Sequence, residues 1–256
     1  MKLATYNIWN SETGGSLRRQ YIANEINKIQ ADAICLQEVS GRDQAEWLAD
    51  RCGFPHVDFQ AYENGSEGLC IMSRQPFIEK ESLYAKANAL LITMEINSHK
   101  WCIVNLHLPW DSALRREEQI VYIVTETKKQ QADYYLLAGD FNASTQSSVQ
   151  AFLRGDWSLH RTEACPNWFD LAEAFAECTG SDPQPTLHFR RNPRWQGKNT
   201  LETNQRFDRI LLCNPYPRDY PLLTDFQLFG ETVYPDLQLC ASDHYGVAAN
   251  LALAEA

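Results

Sequence analysis

With 256 residues, 44 % of them apolar and 22 % charged, the chain has the composition of an ordinary globular protein able to bury a substantial core. No run reaches the roughly 18 apolar residues a membrane span needs, and Met1-Lys2 leads directly into a strand-like stretch rather than a secretory leader. A formal charge of −10 excludes a surface that coats nucleic acid generally and leaves only local basic stretches for a polyanion.

Residues 3–9 read as a strand that ends before Gly14-Gly15. Leu17, Tyr21, Ile22, Ile26 and Ile29 then recur at helical spacing across 17–30, with Ser16 as the expected N-cap. A short apolar strand, 33–36, runs into Gln37-Glu38, and a helix over 42–51 is stopped by Gly53 and Pro55. Four strand-like runs follow at 69–73, 77–84, 90–96 and 101–108. A long helix is expected over 113–131, and a buried strand over 134–138 leads into Gly139-Asp140-Phe141-Asn142. Helical pattern returns at 145–154 and 169–177, loop signals fill 180–205, a strand covers 206–212, and one or two more strands finish the chain. Without an internal repeat, a low-complexity linker or a composition break, residues 1–256 read as one domain: an α/β protein with two mixed sheets packed together and helices outside.

The eight cysteines form no Cys-x-x-Cys pair, and Cys35, Cys70 and Cys102 lie inside apolar runs. They are expected to be buried thiols in a reducing cytoplasm rather than a zinc site or a disulfide frame.

One pattern recurs along the chain: an apolar strand ends, and a polar group able to handle metal or protons stands just past it. Asn7, Glu38, His107, Asp140 and Asn142 all follow this rule, and Asp243-His244 sits just ahead of the apolar run 247–253. Strand ends hold side chains on rigid support at an open edge. Singly, each residue has a structural reading: a turn, a loop start, a satisfied core histidine. Together, their carboxylate and amide oxygens suit a hard divalent cation such as Mg²⁺, and no thiolate joins them that would favour zinc. The histidines and the Asp140–Asn142 pair can handle protons and position water, the parts needed to displace a leaving group from phosphorus. Asp208, at the entry to the strand at 206–212, is expected to reach His244 and fix its tautomer, while Asp243 faces a cation.

These stretches resemble those of the endonuclease/exonuclease/phosphatase superfamily, the DNase I-like fold. Thr5-Tyr6-Asn7, Leu36-Gln37-Glu38-Val39, Gly68 to Arg74, Asn105-Leu106-His107-Leu108, Gly139-Asp140-Phe141-Asn142, Phe207-Asp208-Arg209-Ile210 and Ser242-Asp243-His244 match in the family's order across residues 5–246. The resemblance implies a four-layer α/β sandwich and a Mg²⁺-dependent phosphodiester hydrolase, with Mn²⁺ as a possible substitute. It implies Glu38 as the principal metal ligand, with Asn7 and Asp243 near it or bound through water. Asp140 would orient and deprotonate the attacking water, and Asn142 would hold water and phosphate in line. His244, oriented by Asp208, would stabilise developing charge, and His107 would contact the phosphate or assist the leaving group. Whether Asp140 or His244 is the base stays open.

Within the family, His107 and the lack of a Tyr in 68–73 differ from abasic-site endonucleases. Ala143-Ser144 and Phe207 differ from inositol polyphosphate 5-phosphatases. Arg206-Phe-Asp-Arg-Ile, the His107 loop followed by an Arg-containing helix, and Ser242-Asp-His-Tyr-Gly-Val look like the 5′-tyrosyl-DNA phosphodiesterase branch, with departures at Tyr6 and Pro109-Trp110. The expected substrate is therefore a DNA or RNA end or a phosphotyrosyl-like ester, acted on by a monomer. Its expected contacts are Arg206, Arg194 and Trp195, in the locally basic stretch that also holds Phe189 and Lys198, together with Trp110 and Arg116 near His107. Two alternatives stand beside this one: a phospholipid or inositol-phosphate phosphodiesterase or phosphatase, and a non-catalytic metal- or phosphate-binding module.

Overall fold

A computed structural model describes the chain except residues 64, 66, 85, 198–200 and 254–256. In chain order it comprises β1 (Lys2–Asn7), α1 (Gly15–Ile29), β2 (Ala33–Val39), α2 (Arg42–Cys52), β3 (His56–Ala61), β4 (Gly68–Ser73), β5 (Phe77–Ser82), β6 (Ala89–Ile96) and β7 (His99–His107). There follow α3 (Ala113–Thr127), β8 (Tyr134–Asp140), α4 (Ser148–Arg154), β9 (Trp168–Asp170), α5 (Leu171–Thr179), β10 (Asp208–Cys213), β11 (Leu222–Phe229) and β12 (Gly246–Ala252).

The strands form two six-stranded mixed sheets, ordered β11-β12-β1-β2-β4-β3 and β5-β6-β7-β8-β10-β9. Each has a single parallel pair at its centre, β1 with β2 and β7 with β8, and the intervening helices α1 and α3 provide the crossovers that parallel strands require. Strands so placed are buried on both faces, which is why 33–36, 101–108 and 134–138 read as nearly continuous apolar runs. One apolar layer lies between the sheets, around Leu3, Ile71, Ile103, Leu136 and Ile210. A second joins the first sheet to α1 and α2, around Ile26, Leu36 and Leu48. A third joins the other sheet to α3 and α4, around Val104, Ile123 and Phe152. This is the four-layer α/β sandwich expected from the sequence.

The differences from expectation have local causes. Gly14, in the left-handed region at φ 76°, precedes α1 with no side-chain cap, so Ser16 falls inside the helix rather than capping it. β3 was not expected because it is an edge strand, with mixed residues and most side chains half-buried. The expected helix at 169–177 is split: Trp168–Asp170 pairs as β9, and the Asp170 carboxylate then caps α5 by accepting from the Ala172 amide at 3.0 Å. Six cysteines are buried, as expected, but Cys165 and Cys178 are exposed; all eight are free thiols. Burial pushes the Cys35, Cys70 and Cys102 thiols up, away from reactive thiolate.

Candidate active site

Because β1 and β2 run parallel, and β7 and β8 likewise, the C-terminal ends of each pair reach one edge of the sandwich. There Asn7 stands at register with Gln37, and His107 with Asp140. β10 enters antiparallel from the same edge, which sets Asp208 beside Asp140. His244 arrives just before β12. A buried polar belt pins the two sheets behind these ends: Gln37 Nε2 donates to Thr5 Oγ1 at 3.0 Å and to Asn105 Oδ1 at 2.7 Å. Asn105 Nδ2 in turn donates to the carbonyls of Leu36 and Cys70, both at 2.9 Å. Gly139 adopts φ 147°, and a Cβ there would lie 1.9 Å from the Leu106 carbonyl oxygen, so only glycine lets Asp140 reach its place against β7.

Two site residues sit at positive φ without being glycine. Glu38, at φ 60°, falls where the pairing of β2 with β4 shifts register between Leu36 and Val39, a bulge that re-aims its side chain. Asn142, at φ 45°, is fixed by its backbone N–H donating to Asp140 Oδ1 at 2.8 Å and its Nδ2 donating to the Leu108 carbonyl at 3.0 Å. Each such conformation costs on the order of 1–3 kcal/mol and persists because its surroundings impose it.

Asp140 is the junction of the cluster. Its Oδ2 accepts from Asn7 Nδ2 at 3.1 Å and lies 3.6 Å from His107 Nε2 and 4.0 Å from His244 Nδ1. Asn7 spends Nδ2 twice, on Asp140 and on Glu38 Oε1 at 2.9 Å, and its Oδ1 accepts from the Trp9 amide at 3.0 Å. The amide therefore bridges the two carboxylates, which keeps Asn7 beside Glu38, the expected principal metal ligand. Glu38 Oε2 also accepts from the Asn10 amide at 2.9 Å.

His244 Nδ1 and Asp208 Oδ2 are 2.9 Å apart, the pair expected from the sequence. Burial disfavours the imidazolium, but Asp208, Asp140 and Asp243 together raise His244 well above the usual histidine range. His107 is oriented by a residue absent from the expected site: the Tyr62 hydroxyl, 2.7 Å from His107 Nδ1. Burial, with Glu38 adding to it, raises this phenol well above its usual value and keeps it protonated; with Tyr62 donating to Nδ1, the ring proton of His107 lies on Nε2, which faces Asp140 at 3.6 Å.

Among the described residues, two carboxylate sets bear on where a cation would sit. Asp140, Asp208 and His244 offer ligand atoms within 4.8 Å of one another, but Asp208 Oδ2 and His244 Nδ1 already satisfy each other. The second set is Glu38 with Asp243. Burial, with His244 opposing and Glu38 adding to it, pushes the Asp243 carboxyl up to about 6, and burial with Glu38 raises Glu67 as well. Like charges crowded on oxygen ligands are the chemistry a hard divalent ion would relieve, so the residues fit the expected metal at Glu38 and Asp243.

The loops around this cluster are braced. Arg18 donates to five backbone carbonyls, those of Ile8, Trp9, Ser11, Thr13 and Ala241, at 2.7–3.0 Å, clamping the loop after β1 to the loop that carries Asp243. Ser242 Oγ donates to the Asn7 carbonyl at 2.7 Å, and Trp195 Nε1 donates to the Asp243 carbonyl at 3.0 Å. The Arg194 guanidinium stacks over both Trp9 and Trp195, at 5.0 and 4.9 Å.

The remaining expected contacts divide. Trp110 is 80 % exposed and lines a cleft of about 460 Å³ with His107, Tyr62 and Glu67. Arg115, not Arg116, lines that cleft; Arg116 is turned back to donate to the carbonyls of Pro109 and Trp110 at 2.9 and 3.0 Å. Arg206 is buried and ion-paired to Asp170 at 2.6 Å and Glu173 at 2.5 Å, and Arg209 shares the same Asp170 at 2.6 Å. Both arginines therefore hold the fold together rather than facing a substrate. Phe189 is buried, tilted against Trp195, so the expected stacking wall reduces to Trp195 and Arg194. Lys198, expected in the same basic stretch, lies outside the described residues.

The family model described as "Endonuclease/Exonuclease/phosphatase family" matches residues 4–244. No curated protein matches the chain by sequence. Among solved structures, TDP2 from D. rerio complexed with single-strand DNA product superposes with a TM-score of 0.74 at 17 % identity, covering 99 % of each chain. A functionally unknown conserved protein from Enterococcus faecalis V583 gives 0.72 at 19 % identity, covering 98 % of this chain and 99 % of that one. TDP2 from Caenorhabditis elegans gives 0.72 at 17 % identity, covering 99 % of this chain and 74 % of that one.

Proposed function

Because the chain belongs to the endonuclease/exonuclease/phosphatase family, and with it to the metal-dependent phosphodiesterases and nucleases, we propose that it hydrolyses a phosphodiester at a nucleic-acid end or in a phosphotyrosyl-like ester. One observation carries the reading: the Asp140 carboxylate lies within 4.0 Å of both His107 and His244 and is held by Asn7 and Asn142. Asp140 orients the attacking water and takes its proton. Asn142 fixes the Asp140 carboxylate through its backbone N–H and presents its side-chain carbonyl, since Nδ2 is tied to Leu108. His244, held cationic by its carboxylate neighbours, stabilises negative charge on a phosphate oxygen as it develops. His107, with its proton on Nε2, contacts the phosphate on the side of the Trp110 cleft and assists the leaving oxygen.

Glu38 and Asp243 would hold Mg²⁺, with Asn7 keeping Glu38 and Asp140 apart at fixed distance. When bound, the ion supplies Lewis-acid stabilisation of phosphate charge. The D. rerio TDP2 structure holds single-strand DNA product, which supports a nucleic-acid end as one arm of the substrate. The test compares a 5′-phosphotyrosyl single-stranded oligonucleotide, the unmodified oligonucleotide and bis-p-nitrophenyl phosphate, each with Mg²⁺ and with a chelator. Chelator-sensitive release of tyrosine supports the proposal. Turnover of the small diester alone would leave the chemistry standing and remove the nucleic-acid end.

A further inference from the structure

One stripe of α3 is polar although it stands over a cavity. Arg115, Glu118, Gln119 and Tyr122 lie at i, i+3, i+4 and i+7 and so share a helix face. That face lines a depression of about 370 Å³, closed on its other side by Tyr84, Lys86 and Ala87 from the connection between β5 and β6. Such a volume is in the range of small-molecule sites. Gln119 is its anchor: the residue is 8 % exposed, and its side-chain oxygen has no hydrogen-bond partner among the described residues. A buried acceptor without a donor is unfavourable, and the depression is where a donor can reach it. Glu63 and Glu118 add two carboxylates, Arg115 and Lys86 two bases, and exposed Tyr84 a ring. The Tyr122 ring is already engaged, with Lys86 over it at 5.1 Å. The depression shares Glu63, Asn88 and Arg115 with the cleft at His107, whose amide donates to the Asn88 carbonyl at 3.0 Å. It therefore adjoins the side on which His107 meets the phosphate.

We propose that this depression is a nucleobase site selective for guanine, and that it takes the base of the nucleoside released from the scissile phosphate. This rests on the phosphodiesterase reading above and deepens it. Tyr84 supplies a stacking face, which any base can use. Selection comes from the edge of the base. Guanine carries a ring N–H and an amino group side by side, donors that match the Gln119 oxygen and the Glu118 carboxylate, while its O6 and N7 accept from Arg115 or Lys86. Adenine sets a ring acceptor beside its amino group, and thymine sets two carbonyls around one N–H. Both turn lone pairs toward Gln119 and Glu118. A leaving nucleoside carries no charge of its own, so the carboxylates of the depression do not repel it. In the reaction the hydroxyl of water joins phosphorus and the bond from phosphorus to the leaving 3′-oxygen breaks. The remaining proton of that water ends on the 3′-oxygen, which gives a free nucleoside and a 5′-phosphate.

The test measures KM, with Mg²⁺, for dinucleoside monophosphates that share a 3′-thymidine and differ in the leaving nucleoside: deoxyguanosine, deoxyinosine, deoxyadenosine or thymidine. The deoxyguanosine diester should have a KM about tenfold below the others, deoxyinosine included, since hypoxanthine lacks only the amino group. Gln119→Met and Glu118→Gln should each shrink that ratio toward one. Glu118 is exposed, so the second variant keeps the test open if the buried substitution unfolds the protein. Equal KM values, a preference for deoxyadenosine or thymidine, or a guanine preference that neither variant reduces would overturn the proposal, as would turnover of bis-p-nitrophenyl phosphate but of no dinucleotide. If none of these diesters turns over, the phosphodiesterase reading fails instead, and ligand-observed NMR of free deoxyguanosine against thymidine decides the site alone. Stronger binding of deoxyguanosine would support it, and equal binding or none would overturn it.

Discussion

The His244 imidazole and the Asp208 carboxylate, 36 positions apart in the chain, meet at 2.9 Å inside the protein, both at least nine-tenths buried. A buried imidazole in this setting is held as the cation by its carboxylate neighbours, and only the raised direction of its pKa makes that charge available at neutral pH. Replacing Asp208 by Asn keeps the shape and removes the charge. We expect kcat to fall by about 10²-fold or more, by analogy with a carboxylate lost behind a catalytic histidine. The alkaline limb of the pH–rate profile should move to lower pH as His244 loses its proton earlier. An NMR titration of His244 unchanged between wild type and variant would contradict this account.

Arg18 gives the site its frame. Its five donors end on five carbonyls of the loop that follows Asn7 and the loop that carries Asp243. Arg18→Met leaves those carbonyls without their charged donor and should cost about 3–5 kcal/mol of unfolding free energy, read from the urea midpoint. Arg18→Lys, with three donors in place of the fork, should recover part of the loss. A midpoint unmoved in Arg18→Met would show that the loops stand without the clamp.

Asp170 makes stability depend on acid. Burial works against its charge, but Arg209 and Arg206 outweigh burial and hold the carboxyl below its usual value. The folded state therefore binds this proton less readily than the unfolded chain. Its contribution is fully present above the unfolded value of about 3.9 and is lost as pH falls through the lower folded value. Asp170→Asn should remove that part of the acid dependence and cost about 3–5 kcal/mol at neutral pH, because two buried arginines lose a shared partner. Parallel stability–pH curves for wild type and variant below pH 4 would contradict the assignment.

Tyr62 is a positioning residue in this account. Tyr62→Phe removes the donor to His107 Nδ1 and frees the imidazole to take either tautomer. We expect kcat to drop by about tenfold with KM nearly unchanged, and the penalty should be smaller for an activated p-nitrophenyl leaving group that needs little proton assistance. Equal losses on both leaving groups would indicate a packing role alone.

Sequence pattern carried most of the architecture and the central cluster for a physical reason. Strands buried on both faces read as apolar runs, and the residue just past each run is where the sheet edge lies. Asn7, Glu38, His107 and Asp140 were therefore legible one by one, and Asp208 was legible as the acid at the entry of its strand. What a run cannot show is pairing across the fold. Arg206 looked like a phosphate contact because its partners, Asp170 and Glu173, are more than thirty positions away. Arg116 and Arg115 are adjacent in sequence, and only the start of α3 at Ala113 decides which one faces the cleft. Tyr62 lies just past an edge strand whose mixed residues give no periodic signal, and Arg18 sits on a helix with nothing in its neighbours to mark five carbonyl partners.

The most direct measurement is the single-turnover rate of tyrosine release from a 5′-phosphotyrosyl oligonucleotide at saturating Mg²⁺, for wild type and for Asp140→Asn. If Asp140 orients and deprotonates the attacking water, the variant should be slower by at least about 10²–10³-fold, with folding and oligonucleotide binding retained. A variant rate within a few-fold of wild type would contradict the central assignment and move the base to His244 or out of the cluster.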